Sequence, residues 1–311
     1  MGVKSKAAAA ILVLLLFLGS LWLQGGLDYH WDSCLKGYNQ VNTPPIPHCQ
    51  LHQLSNSSGI DGAEGSHLLE GCPGQKFQVS LLLSHLLAAQ AYNSDVLLKP
   101  YLSSWDELVR FMEALGPMVG LISKEIETKT SIIRQLALLA EENPEAELSD
   151  IHSINSEAGT ENTLEASQHT SAYHSLHSMI STELSRGLVD FHHQTDSGCR
   201  TLLRLHRALL WLKLFLEKLA ETPVAGRLRS PSDLCREAYQ NTLANHHTWF
   251  VRRAAELAFI ALPERSFFYK LICVQNQEEL SIVLNRVVQA IGEVYDRTQK
   301  GLEENGMLDL P

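Results

Sequence analysis

From about residue 77 onward, apolar side chains recur at i, i+3, i+4 and i+7, the spacing of an amphipathic helix, and alternating strand patterns are scarce. The first periodic run, "FQVSLLLSHLLAAQA", opens at Phe77. Periodicity resumes at Ser104, where "SSWDEL" reads as a serine cap followed by acids in the first turn. A long helix is predicted from Trp105 to about Ala140, bent at Gly116-Pro117 because proline removes a backbone donor. Further helices are predicted at "SAYHSLHSMISTELSRGLVDF", "CRTLLRLHRALLWLKLFLEKL", "SPSDLCREAYQNTLAN", "WFVRRAAELAFIAL" and "NQEELSIVLNRVVQAIGEVYDRTQKGLEE". The expected fold class is all-α.

Two of these helices carry charge where the pattern calls for core. On a wheel of residues 199–219, Arg200, Arg204, Arg207 and Trp211 form one stripe about 60° wide, flanked by leucines, Ala208 and Phe215. His206, Lys213 and Glu217 form a second polar strip, the natural candidate for a water-facing side. The arginine stripe then faces another helix or the mouth of a pocket. Guanidiniums one turn apart present planar donor forks, a geometry suited to phosphate; pairing with acids across a helix interface is the structural alternative. On the long helix, Glu125 and Lys129 sit with Met118, Leu121, Ile122 and Ile132, while Lys124, Glu127, Thr130, Ser131 and Arg134 mark the expected solvent side.

The rest of the chain is organised differently. Lys4 and Lys6 precede an uncharged apolar run from Ala7 to Leu23, slightly shorter than the ~20 residues of a typical membrane span. A cleaved signal and a signal anchor both fit residues 1–23. Lysines before the run put the downstream chain outside the cytoplasm, and membrane-associated or secretory-pathway localisation is expected where the segment is used. Residues 24–76 are rich in Gly, Pro, Ser, Asn and His, read as a flexible linker, and carry the sequon Asn56-Ser57-Ser58. Residues 141–170 are acidic, Ser-rich and nearly free of large apolar groups, as expected of a flexible surface insertion.

Composition narrows the function classes. A formal net charge of −10 argues against a general nucleic-acid binder. None of the 6 cysteines forms a C-x-x-C pair, so zinc and thioredoxin-like sites are not expected. Cys34, Cys49 and Cys72 share the N-terminal segment, where a disulfide and free thiols both fit. The doublets His192-His193 and His246-His247 lack the i, i+4 spacing of a helical metal site. H-E-x-x-H, G-x-S-x-G, Walker A and G-x-G-x-x-G patterns are absent from the sequence. No metal or other cofactor is expected.

The stretches "GLISKEIETK", "SGCRTLLRLHRALLWLKLFLE" and "HHTWFVRRAAELAFIALPERSFF" together resemble the glycolipid transfer protein family, and within it the ceramide-1-phosphate transfer branch. The likeness covers about residues 77–311, with 141–170 as an insertion. It implies a two-layer all-α sandwich that takes the chains of one sphingolipid into an apolar pocket between the layers and its headgroup into a surface cavity. By position, Glu125 stands where the family has an aspartate that hydrogen-bonds the lipid amide, and Lys129 is a basic headgroup contact. Arg200 and Arg204 match phosphate-binding arginines; the sugar-binding branch has a stacking tryptophan at position 204. His247 matches the histidine that binds the amide oxygen, and Trp249 an interfacial tryptophan. Glutamate at 125 is longer than aspartate by one methylene, ~1.5 Å.

The expected partners are therefore a sphingolipid with a phosphate headgroup and a membrane surface, with no nucleic acid. The expected activity is transfer between membranes without catalysis. The family is otherwise cytosolic, which sets its usual address against the apolar N-terminus. A non-transferring sensor or scaffold, and a glycosphingolipid carrier, are the alternatives on the same fold.

Overall fold

In the computed structural model, residues 71–91, 93–142, 171–222 and 228–311 are described. The leader, most of the linker with Asn56, and nearly all of the 141–170 insertion lie outside them. The larger of two units takes in the described residues up to His246 and from Leu257 to Pro311; His247–Glu256 belong to a smaller unit and are described by themselves.

Nine α-helices are present among the described residues: α1 Val79–Ala88, α2 Leu98–Ala114, α3 Pro117–Glu142, α4 Leu176–Ser185, α5 Gly198–Ala220, α6 Pro231–Asn241, α7 Trp249–Ile260, α8 Arg265–Ile272 and α9 Gln277–Glu304. Their starts reflect local chemistry. Ser175 and Ser178 form a reciprocal capping box ahead of α4. Ser197, Ser230 and Asn276 cap α5, α6 and α9, and Pro231 opens α6, where its missing donor costs nothing.

Two expectations about the second run fail. Helix α2 begins at Leu98, not at Ser104. Pro100 lies in its first turn, where proline is tolerated, so it does not delay the start. Ser103 and Ser104 are interior and bond back to the carbonyls of Lys99 and Tyr101. The long helix is broken rather than bent: α2 ends at Ala114, Gly116 adopts φ +114°, a region open to glycine, and Pro117 starts α3. Helix α3 also runs through Glu141 and Glu142, into the first residues of the predicted insertion.

Within the larger unit, α2 packs on α1 and α3, and α5 packs on α9, α6, α3 and α4. An apolar seam lies between these groups. Phe77, Leu82, Leu108 and Phe111 meet Leu216, Leu284 and Val287 at one end, and Met112, Leu115 and Val119 meet Trp211 and Phe215 at the other. The seam holds two small cavities of ≈280 and ≈260 Å³, open mouths included. Each has enclosed room for no more than about one water molecule, so two lipid chains enter only if the layers part.

Sandwiching of α5 overturns the wheel reading of its polar strip. His206 is only 2% exposed. Its Nε2 meets Gln299 Oε1 at 2.7 Å, and its ring stacks on Tyr295 with centroids 4.1 Å apart. Of the predicted water-facing residues only Glu217 is exposed, with Lys213 half-buried. A central helix has no single solvent side, so a polar residue on it marks a partner as readily as water.

One disulfide among the described residues joins Cys72 to Cys273, with Cα atoms 5.7 Å apart. It pins the chain ahead of α1 to the C-cap of α8, instead of pairing Cys72 within the N-terminal segment.

Candidate functional site

The site is built on α5. Its first turn is held by a buried acid from α4: Glu183, 0% exposed, accepts from Gly198 N at 2.6 Å, Cys199 N at 2.9 Å and the Tyr173 hydroxyl at 2.8 Å. A carboxylate at a helix N-terminus meets unpaired backbone donors and the positive end of the helix dipole. Gly198 is required there, because a Cβ would lie 2.8 Å from Glu183 Oε1 and 2.9 Å from Met179 Sδ.

From that fixed start the next turns carry Arg200, Arg204 and Arg207 along one side, all half-buried. Among the described residues no carboxylate side chain makes an ion pair with any of the three. Their contacts are to main-chain oxygens. Arg200 Nε donates to Pro311 O at 2.5 Å, Arg204 Nη2 to the same oxygen at 3.3 Å, and Arg207 Nη2 to Leu308 O at 2.7 Å. Burial, with the neighbouring charges of Arg200 and Arg207, pulls Arg204 down to about 10, against the opposing field of Glu125. Burial likewise lowers Arg200 and Arg207. Three partly desolvated cations, the middle one further disfavoured by the charges of the other two, form a site that favours an anion.

Helix α3 supplies the other charged pair. Lys129 Nζ bonds Glu125 Oε1 at 2.5 Å; the lysine side chain is 19% exposed and the glutamate 59%. Glu125 therefore does not lie on a core face, as its wheel position implies. The buried residues of α3 are Val119, Ser123, Ile126, Thr130 and Ile133, and Leu121 is 47% exposed. The side of α3 carrying Leu121 and Glu125 opens outward. Arg134, expected in solvent, instead clamps both Asp106 oxygens at 3.0 and 2.8 Å and ties α3 to α2.

The structure thus brings Glu125, Lys129, Arg200 and Arg204 into one charged neighbourhood, Glu125 acting electrostatically on Arg204. It adds Arg207, whose position in the stripe was the signal for it, and the main-chain oxygens of residues 308 and 311, for which no sequence pattern exists. His247 and Trp249 fall in the separately described segment. His247 is half-buried just before α7. Trp249 is 56% exposed and packs edge-on against Phe250, itself 52% exposed, with centroids 4.9 Å apart. The Arg253 guanidinium lies 5.6 Å from the Trp249 ring centre. An exposed aromatic pair beside a cation suits the interfacial region of a membrane.

Among the described residues no group of three His, Cys, Asp or Glu side chains is arranged to hold a metal. No described helix is long and apolar enough to cross a membrane. The arrangement sets a row of cations beside an apolar seam, Trp211 lining the seam one turn beyond Arg207.

Comparison with known proteins gives a consistent result. The family profile described as "Glycolipid transfer protein (GLTP)" matches residues 96–274. The ceramide-1-phosphate transfer protein of Xenopus laevis is 40% identical over 222 residues, covering 70% of this chain and 89% of that one. The ceramide-1-phosphate transfer protein of Homo sapiens is 36% identical over 238 residues, covering 76% of this chain and 97% of that one. A crystal structure of the human protein in complex with 2:0 ceramide-1-phosphate matches with a TM-score of 0.61 at 35% identity, over 76% of this chain and 99% of that chain.

Proposed function

The chain belongs to the glycolipid transfer protein family, and from that premise we propose that it binds ceramide 1-phosphate and carries it between membranes. The observation that supports this reading best is the row Arg200–Arg204–Arg207, three half-buried cations with no carboxylate side chain in ion-pair contact among the described residues. A phosphate monoester carries nearly two negative charges and is bound best by guanidinium forks. A sugar would need a flat stacking surface, and position 204 offers a cation instead. Arg200, Arg204 and Lys129 take the phosphate, Glu125 and His247 the ceramide amide, and Trp249 the membrane interface. The ceramide chains part the seam lined by Phe111, Trp211 and Phe215, because apolar chains leave water for a dry slot.

Docking, opening and extraction complete the cycle, so no nucleophile or general base takes part. A vesicle-to-vesicle assay tests the reading: ceramide 1-phosphate should move rapidly and galactosylceramide slowly. Equal transfer of the two lipids would sink it, and release of inorganic phosphate would reassign the protein to catalysis.

A second reading, favoured by the Cys72–Cys273 disulfide, concerns where transfer occurs. Disulfides persist in oxidising compartments and are rare in the cytosol. Together with the apolar run after Lys4 and Lys6 and the sequon at Asn56, the disulfide supports residues 77–311 as a transfer domain on the lumenal or outer side, tethered or released by residues 1–23. Expression in mammalian cells followed by glycosidase treatment should give a mobility shift. An unshifted chain in the cytosolic fraction, with Cys72 and Cys273 reduced, would return it to the family's usual address.

A further inference from the structure

The end of the described chain makes contacts that the phosphate reading does not use. Helix α9 ends at Glu304, and Gly306 takes φ +65° with its neighbour Met307 N bonded back to Leu302 O at 2.9 Å. This left-handed stop turns the chain back over α5. Met307 and Leu310 are 0% and 4% exposed. These two apolar side chains anchor a strap, residues 307–311, whose main-chain oxygens at Leu308 and Pro311 receive all three arginines.

We propose that this strap is a positioning element for phosphate recognition: it holds the guanidiniums of Arg200, Arg204 and Arg207 in place while leaving them donors for the headgroup. The inference rests on the phosphate reading above. Arg200 commits only Nε to the strap, so both of its Nη groups stay available. Arg207 commits only Nη2. Arg204 spends Nη1 on Arg200 O and Nη2 on Pro311 O, which fixes the plane of its fork and keeps Nε. Each guanidinium carries five N–H donors, so the contacts hold it without exhausting it.

The need for such a device arises from the charges. Arg204 is destabilised as a cation by Arg200 and Arg207. Left alone, like-charged side chains with many rotamers would splay toward water, and a ligand would have to order them on arrival. Ordering rotamer-rich side chains beforehand removes that cost from binding. Burial of Met307 and Leu310 also makes the strap a fixture rather than a loose competitor for the cations.

The experiment compares the intact chain, a chain lacking residues 308–311, and Pro311→Ala, which keeps the main-chain oxygen. The deletion retains Met307, so the end of α9 stays anchored. Calorimetry measures binding of 2:0 ceramide 1-phosphate and of the matching uncharged 2:0 ceramide. The deletion should weaken the phosphorylated lipid about 10- to 100-fold, as expected for loosened charged hydrogen bonds, and the uncharged lipid by less than about 3-fold. Pro311→Ala should stay within about 3-fold of the intact chain for both lipids. Tighter binding after deletion would make the strap a competitor, and equal losses for both lipids would make it merely structural; either overturns the proposal. Discrimination that survives the deletion overturns the strap alone. An intact chain that does not discriminate the two lipids overturns the phosphate reading and the strap with it.

Discussion

The first three turns of helix α5 hold charge at two places, a carboxylate received from α4 and a row of its own arginines, and they are treated in opposite ways. At the first turn a single carboxylate, Glu183, is shut away from water and saturated by two backbone amides and a tyrosine hydroxyl. Immediately beyond it, three guanidiniums stay half-buried and are hydrogen-bonded only to main-chain oxygens; Asp196, Glu125 and Asp309 act on their charges from a distance, and no carboxylate side chain is in ion-pair contact with them among the described residues. Burying a charge costs several kcal/mol, so it persists only where the fold repays it or where function needs it. The saturated anion belongs to the fold. The unsaturated cations are an invitation to a ligand, and the rigid first turn is what keeps them in register.

The largest effect should come from breaking the closed cluster. Glu183→Ala leaves Gly198 N, Cys199 N and the Tyr173 hydroxyl buried without an acceptor. Urea unfolding should show a loss of about 3–5 kcal/mol, whereas Arg204→Leu should change stability by less than about 1 kcal/mol. Similar losses for the two variants would erase the distinction between the clusters.

A second effect comes from adding a charge to the same helix. Burial pushes His206 down to about 4, from an ordinary 6.5. The unfolded chain therefore binds the proton first. Stability contributed by neutral His206 is fully present above about pH 6.5 and is lost as pH falls toward 4, by roughly 2–3 kcal/mol at most. Unfolding curves between pH 7 and 4.5 should show this slope, and His206→Gln should flatten it. An unchanged slope in the variant would move the acid sensitivity elsewhere.

Glu125 gives the smallest and most informative change. It is mostly exposed, paired with Lys129, and its field stabilises the Arg204 cation. With Glu125 accepting the ceramide amide proton, Glu125→Gln should lower affinity for ceramide 1-phosphate by about 2- to 5-fold, less than 1 kcal/mol, because a charge-assisted hydrogen bond becomes a neutral one. A rise in affinity would show that relief of the repulsion between Glu125 and the phosphate outweighs amide recognition.

These clusters were unequally legible in the sequence. The arginine row was readable because helical periodicity alone puts residues 200, 204 and 207 in one stripe. The all-helical fold and the caps at Ser230 and Asn276 arise from equally local rules. Glu183 gave no signal, since its role depends on α4 meeting the start of α5. His206 misled for the same reason: a wheel assumes one buried side, and α5 is enclosed by several helices. Glu125 misled in the other direction, because its neighbours Met118, Leu121 and Ile122 on α3 are themselves at least partly exposed. The strap acts through main-chain oxygens, which carry no residue code. The Cys72–Cys273 pairing spans 201 positions and cannot be deduced from spacing.

The central claim is that the open cluster selects a phosphate. Calorimetry of the intact chain and Arg204→Leu, each with 2:0 ceramide 1-phosphate and with 2:0 ceramide, tests it most directly. The intact chain should prefer the phosphorylated lipid by about 30-fold or more, equivalent to ~2 kcal/mol or more. Arg204→Leu should remove most of that preference while leaving the uncharged lipid nearly unaffected. A preference that persists in the variant, or none in the intact chain, would contradict the account.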